Sequence, residues 1–443
     1  MKRLEYLLLV MILFCASCAK DQWLDPPPMA PGSKSGSDNL ISPEIKIAVL
    51  SDLHYLNPSL APDDPENNPV WQAMVTHDRK IFEFSDPIFR KVVAGLMEDK
   101  PDIVLISGDL AMEGQMECHE TVSGFLQQLE DCGIKVFVVP GNNDIINPSS
   151  QNFKNTPPTP VPSVTEEQFT SIYGNFGYNE ALYRDENSLS YICQPYNGLW
   201  ILAIDGLDRS NPNKISGAIN PLTLAWIQEK MVEANEKNFT VLPMMHYGII
   251  EHYSGQKYLE LLISDFKNNA NALMNSGIRL ILTGHYHASD IADYSNDGKT
   301  LTDIQTGSLV TPPYSYRLMT LESNVININT KTVKSLGSEV SHQEFLRYSN
   351  EVFTERITGF FTYFGFALQK RYGIPADKYP EVVPFFTKAY VAYFAGDEEL
   401  EDDEAEKIEL LGQTVPSALP FLNSLWDDPP PQDNKFHLKL KLE

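Results

Sequence analysis

At 443 residues the chain exceeds one average domain and has room for a large buried core plus an appendage. Its 42% hydrophobic and 21% charged residues are ordinary for a globular protein, but a formal net charge of −25 is not. Such an acidic chain lacks the cationic footprint that dominates polynucleotide affinity, which argues against nucleic acid as a partner.

Lys2 and Arg3 precede an apolar run from Leu7 to Phe14, too short to span a bilayer and typical of an export signal. Cys15-Ala16-Ser17-Cys18 follows and resembles a bacterial lipoprotein cleavage site, although Cys15 stands where leucine is usual. The expectation is a signal peptide over 1–18 and a mature chain held to a bacterial membrane by lipid on Cys18, facing periplasm or exterior. An ordinary signal peptide cut nearby is the plainer alternative. Residues 19–42, with Pro26-Pro27-Pro28 and a Ser/Gly-rich stretch, read as a flexible linker.

Residues 43–336 read as one α/β or α+β domain. Short apolar runs recur at Ile45–Leu50, Ile103–Ser107, Val136–Val139, Leu199–Ile204, Val241–Met245 and Leu280–Thr283. They are β-branched-rich and apolar on both faces, as strands buried inside layered sheets are. Tyr196-Asn197-Gly198 signals a hairpin between Leu189–Gln194 and Leu199–Ile204. His119 to Asp131 is helical in period and stops at Gly133. Asn220-Pro221 is a cap followed by a first-turn proline, opening a helix over Leu222 to Ala234.

From residue 337 to 443 the pattern becomes mainly helical, with aromatic-rich helices expected over Phe345–Arg371 and Val382–Phe394 and a tail around Pro429-Pro430-Pro431. The aromatics are expected to pack on the preceding domain or in a small bundle. The acidic run from Asp397 to Glu406 reads as a solvated face. Outside the leader, Cys118, Cys132 and Cys193 have no metal-ligand spacing and read as core thiols. Cys118 and Cys132, at opposite ends of one helix, lie about 20 Å apart by helical rise, too far for a disulfide.

The chemistry gathers at the strand ends. The runs feed Ser51-Asp52-Leu53-His54, Gly108-Asp109, Gly141-Asn142-Asn143-Asp144, His246 and Gly284-His285-Tyr286-His287. Ligand sites of open α/β sheets form at the carboxyl edge, so these groups are expected to converge. Four histidines, two aspartates and an asparagine suit borderline divalent cations such as Mn, Fe or Zn, and are about enough for two ions. Singly, each residue has a bland reading as a helix cap, turn former or satisfied histidine. As an ordered set they do not.

This series resembles the calcineurin-like metallophosphoesterase superfamily. Pro140 to Pro148 and Phe176-Gly177-Tyr178 are similar to its secreted or lipoprotein bacterial members. The resemblance covers roughly Ile45 to Thr330 and implies a two-sheet β-sandwich flanked by helices. It implies phosphoester hydrolysis by a hydroxide shared between two divalent cations. Carried over by residue, it places Asp52, His54 and His287 on one metal, Asn142, His246 and His285 on the other, and Asp109 between them.

One departure stands out. The family's Gly-Asn-His-Asp/Glu motif has Asn143 in place of the histidine that contacts phosphate and helps protonate the leaving group; Asp144 follows it. Asn143 can donate a hydrogen bond but not a proton. The substrate is then a diester or activated ester, or another acid such as His252 substitutes, or the site is weakened. Met112 stands where many members have aspartate, and His119 is expected on a helix surface. Asp205 and Asp208 read as turn residues, and Arg317 as a surface or strand-pairing residue. The rivals to hydrolysis by a metal pair are a non-catalytic metal- or ligand-binding surface lipoprotein and a one-metal zinc hydrolase.

Overall fold

The computed structural model describes residues 44–210, 217–259, 261–396, 398–428 and 431–440; the expected signal peptide and linker lie outside the described residues. In chain order the strands begin with β1 (Ile45–Leu50), β2 (Ile103–Ile106), β3 (Lys135–Val138), β4 (Gln151–Asn152), β5 (Thr159–Pro160) and β6 (Tyr183–Arg184). They continue with β7 (Tyr191–Tyr196), β8 (Leu199–Ile204), β9 (Thr240–Met245), β10 (Leu280–Thr283) and β11 (Asp290–Asn296). The last four are β12 (Lys299–Gln305), β13 (Ser315–Glu322), β14 (Val325–Thr332) and β15 (Lys435–Lys439).

Two sheets result, ordered β15-β14-β13-β1-β2-β3 and β11-β12-β10-β9-β8-β7-β6, with β4 and β5 in a separate small pair. β1, β2 and β3 run parallel, while β13 joins β1 antiparallel. In the second sheet β8, β9, β10 and β12 are parallel neighbours.

The continuous apolar strands have a simple cause. Along β8, Leu199, Ile201 and Ala203 point into the core shared with Ile47 and Val49 of the other sheet. Trp200, Leu202 and Ile204 point the opposite way, onto Ile227 and Met231 of the helix Pro221–Glu236 and Leu273 of the helix Phe266–Asn275. Successive side chains alternate faces, and both faces are covered. The fold is a two-sheet sandwich with helices outside. The Asn220 side chain accepts from the Leu222 amide at 2.9 Å with Pro221 in the first turn, as that dipeptide predicts.

Several expectations need correction. The helix containing His119 starts at Met116, and His119 is buried, because that face packs against Phe169 and Tyr173. Cys118 and Cys193 are buried, but Cys132, at the end of that helix, is exposed. Arg317 is a strand-pairing residue of β13, opposite Val49 and Thr330, but is wholly buried rather than superficial, donating to the Gln305 carbonyl at 2.7 Å and to Thr330 and the Asp433 carbonyl.

The C-terminal region is helical, but Phe345–Arg371 is not one helix. It divides into helices His342–Arg347, Phe353–Phe364 and Phe366–Tyr372, with a π-turn at Tyr348–Val352. The break falls at Gly365, where the Tyr379 hydroxyl donates to the Phe361 carbonyl at 3.0 Å. The helices belong to the same compact unit as the sheets. Aromatic pairs join them: Phe84 with Tyr348 at 4.7 Å, Tyr253 with Phe421 at 6.0 Å, and Tyr286 with Tyr393 at 5.4 Å between ring centroids. The expected tail contains β15, which pairs antiparallel with β14.

Phe386 is fully buried, with Phe361 at 5.6 Å and Phe421 at 5.0 Å. Phe386→Ala is expected to lower unfolding free energy by about 3–5 kcal/mol, read as a fall in the denaturant midpoint.

Candidate metal centre

Each strand that carries a motif ends where its side chain must turn sharply towards a common point. Asp52 (φ 51°), His54 (38°), Asp109 (53°), His285 (72°) and His287 (75°) all adopt left-handed backbone. Non-glycine residues avoid this region, so five such residues in one place mark strain held for a purpose. Close approach is the other requirement. A Cβ on Gly284 would lie 2.6 Å from Asp52 Oδ2, and one on Gly108 would lie 2.7 Å from His246 Nδ1. Only glycine fits at either position.

Two buried clusters of potential ligands result, Asp52–His54–His287 and Asp109–His246–His285, with ligand atoms within 4.8 Å of one another in each. His54 Nε2 lies 3.1 Å from His287 Nε2, and His287 Nε2 lies 3.3 Å from Asp52 Oδ1. In the second cluster His246 Nε2 is 3.1 Å from both His285 Nδ1 and Asn142 Oδ1. Asp109 joins the two: its Oδ2 lies 3.5 Å from His54 Nε2 and 3.4 Å from His246 Nε2.

Hydrogen bonds behind the cluster set the tautomers. His246 Nδ1 donates to the Ser107 carbonyl at 2.8 Å, which turns Nε2 inward. His287 Nδ1 lies 2.9 Å from Thr311 Oγ1, whose hydroxyl in turn donates to the Arg79 carbonyl at 3.4 Å, so His287 Nε2 likewise points inward. Asp52 Oδ2 accepts from Ser51 Oγ at 2.6 Å and from the His285 amide at 2.8 Å. Such outer partners orient ligands.

The cluster is also polarised. Burial alone would raise the Asp109 carboxyl, but His246 and His54 hold it well below its ordinary range. Asp52, against the same burial, is held low by His287 and His54. Burial would depress His246, yet Asp109 outweighs it and lifts the imidazole to about 9. Burial, then the neighbouring His246, pushes His285 down to about 3. Two ionised carboxylates thus face the raised His246 imidazole and the depressed His285 and His287 rings in a buried site.

Residues 45–289 match the Calcineurin-like phosphoesterase family, more than half of the chain. The chain belongs to that family. Among similar proteins is a cyanobacterial one from Synechococcus sp. described as a "Probable cyclic nucleotide phosphodiesterase". It is 22% identical over 259 residues, covering 56% of this chain and 75% of its own. A dimetal phosphatase from Danio rerio is similar in structure at TM-score 0.48 and 12% identity, over 65% of this chain and 96% of that one.

The divalent cations that the family implies fit the residues of this phosphoesterase. Asp52 Oδ1 is buried with no hydrogen-bond partner, its neighbours being His287 Nε2 at 3.3 Å and His54 Nε2 at 3.7 Å. A buried carboxylate oxygen left in that condition is costly unless a cation meets it. The donor set of imidazole nitrogens, carboxylates and one amide oxygen suits Mn, Fe or Zn.

Of the residues read from the motifs, the phosphoesterase brings Asp52, His54, Asp109, Asn142, His246, His285 and His287 together. Asn143 lies alongside: its backbone amide donates to Asp109 Oδ1 at 2.8 Å and its side-chain amide to Oδ2 at 2.7 Å. Asp144 is a clamp rather than a group facing substrate. Its carboxylate accepts from the amides of Leu110 at 2.8 Å, Ala111 at 3.1 Å and Gly141 at 2.8 Å, tying the β2 and β3 end loops together. Burial and the nearby Asp109 raise its carboxyl to about 8. His119 supports the clamp, with one ring nitrogen 3.0 Å from the Asp144 carbonyl and the other 2.8 Å from the Tyr173 hydroxyl.

His252 belongs to neither cluster. Its ring is buried between Asp290, 2.9 Å from Nδ1, and Asp303, 3.5 Å from Nε2. Asp205 accepts from the Leu189 and Leu207 amides and pairs with Arg209, which is turn chemistry. Met112 is buried apolar packing. Sequence reasoning missed Thr311 and Arg79; neither lies at the end of an apolar run, and no spacing signals them.

Burial would lower the His252 imidazole, but Asp290 and Asp303 raise it from 6.5 to about 10. A raised folded value stabilises fully below pH 6.5, and that stabilisation is lost as pH climbs through about 10. Denaturant melts between pH 6 and 10 are expected to show falling stability in the native protein. A His252→Gln variant is expected to be less stable at pH 6 with a flatter profile.

Proposed function

We propose that this chain is an exported, lipid-tethered hydrolase cleaving phosphate mono- or diesters with the aid of two divalent cations. Asp52, His54 and His287 would hold one cation, Asn142, His246 and His285 the other, with Asp109 shared. The observation that carries this reading is one oxygen atom, Asp109 Oδ2, within 3.5 Å of His54 Nε2 and 3.4 Å of His246 Nε2. A carboxylate oxygen facing an imidazole from each cluster has the disposition a bridging ligand needs.

A cation pair bound there supplies Lewis acidity and brings the pKa of water towards neutrality. The protein's own contribution is orientation. Asn143, bonded to both Asp109 oxygens, fixes the shared carboxylate, and its amide has no proton to give a departing alkoxide. Diesters and activated esters, whose leaving groups need little protonation, suit such a site. A cleft of about 600 Å³ opens beside Asn142 and Asn143, walled by Ile145, Ile146, Leu207 and Tyr247. It has room for an organic ester group, and the similarity to a probable cyclic nucleotide phosphodiesterase from Synechococcus sp. is in keeping with a diester. Export and tethering rest on the leader and Cys18.

Purified protein reconstituted with Mn is expected to bind two equivalents and to hydrolyse p-nitrophenyl phosphate or its bis-ester. Asp109→Ala should reduce either rate by more than about 100-fold with loss of metal by elemental analysis. Absence of turnover of both esters by fully metallated protein would instead favour a non-catalytic ligand-binding role, the reading Asn143 keeps in play. Asn143→His should accelerate esters with poor leaving groups by about 100-fold and leave activated esters little changed. Unchanged selectivity counts against the leaving-group argument.

A further inference from the structure

Arg79 lies in the loop between the helix Pro69–Val75 and the short 3-10 turn Phe82–Phe84. Its guanidinium carbon sits 5.9 Å from the centre of the Tyr286 ring, and Nη2 donates to the His285 carbonyl at 3.4 Å. Both contacts are to the Gly284–His287 segment that supplies two of the cluster's imidazoles. The Arg79 carbonyl receives the Thr311 hydroxyl that orients His287. The guanidinium therefore borders the ligand cluster from a segment with no strand-end motif.

Burial disfavours its charge and Tyr390, Asp78, Tyr286 and Asp52 nearby favour it, but among the described residues no carboxylate closes an ion pair with it. The side chain is mostly buried, and Nε is buried without an acceptor. Among the described residues Arg79 makes no ion pair, and the adjacent Asp78 pairs with Lys80 at 3.5 Å instead. An arginine cannot shed its proton, and a largely desolvated guanidinium with no directly bonded anion gains from one. The nearby Asp52 carboxylate favours the charge from a distance, but its free oxygen belongs to the ligand cluster. What the position lacks is an anion brought from outside.

We propose that Arg79 binds a non-bridging oxygen of the substrate's phosphoryl group, and equally the phosphate released from a monoester. This rests on the phosphoester reading above. A planar guanidinium with a spare N–H matches a tetrahedral oxyanion and stabilises charge that develops during hydrolysis. It supplies the electrostatic half of what a histidine at position 143 would do, but not the acid half. A monoester dianion carries one more negative charge than a diester, so Arg79 favours monoesters, whereas the missing acid penalises poor leaving groups. The two residues set different parts of the specificity.

The test uses the Mn-loaded full chain with inorganic phosphate as the probe. Phosphate affinity is measured by calorimetry and as competitive inhibition, with metal content measured in parallel. Arg79→Gln is expected to keep two metal equivalents and to weaken phosphate binding by about 10- to 100-fold. Arg79→Lys should recover part of that loss. In kinetics, Arg79→Gln should lower kcat/KM for p-nitrophenyl phosphate about 10-fold more than for the bis-ester. Phosphate affinity within about twofold of the native protein, at unchanged metal content, overturns the proposal. Loss of metal or of folding in Arg79→Gln, not repaired by Arg79→Lys, also overturns it in favour of a structural role. Should the native protein hydrolyse no phosphoester, the phosphate measurement still decides the anion site, while the hydrolytic reading fails alone.

Discussion

The structure turns on the cost of placing ionised carboxylates in a dry interior. Asp52 and Asp109 are buried at the end of adjacent parallel strands, where neither would remain ionised without compensation. Compensation for Asp109 arrives chiefly from His246 at the end of β9 in the other sheet, and for Asp52 from His287 beyond β10, with His54 serving both. The meeting of the sheets and the charge balance of the site are therefore one problem. The glycines that allow close approach and the left-handed residues that aim the side chains are the backbone's share of its solution.

A second tier of polar residues keeps that arrangement rigid. Asp144 spends its carboxylate on three backbone amides, joining the loops that carry Asp109 and Asn142. Across the fold, Asp303 receives the amides of Ile249 and Ile250 and faces His252, bracing the segment that follows His246. Neither device touches the ligand cluster. Both limit how far its loops can drift, which matters because small misplacements of ligands cost affinity and rate.

Much of this was legible in the sequence, for a definite reason. Strands buried on two faces must be apolar throughout, so a polar residue at their ends stands out, and β1, β2, β9 and β10 each announce one. The Asn220-Pro221 cap was equally plain, being local chemistry. What stayed hidden depends on partners distant in sequence. His119 looks superficial until the Phe169–Tyr173 segment covers it, and Arg317 until the stretch around Asp433 closes over it. β11 to β15 alternate polar and apolar residues with lysines and asparagines among them, a weaker signal than the central strands give. The setting of His252 was hidden because the carboxylates that enclose it come from β11 and β12.

The bond from the His285 amide to Asp52 closes a span of 233 residues. Contacts of such long range come late in folding, since the entropy of gathering the chain must be met before they form. The clusters cannot exist in a partly assembled molecule, because each draws ligands from both sheets. Any capacity the protein has to grip a metal pair is thereby a report on its own completion. A chain with misdocked sheets would be silent rather than carelessly active.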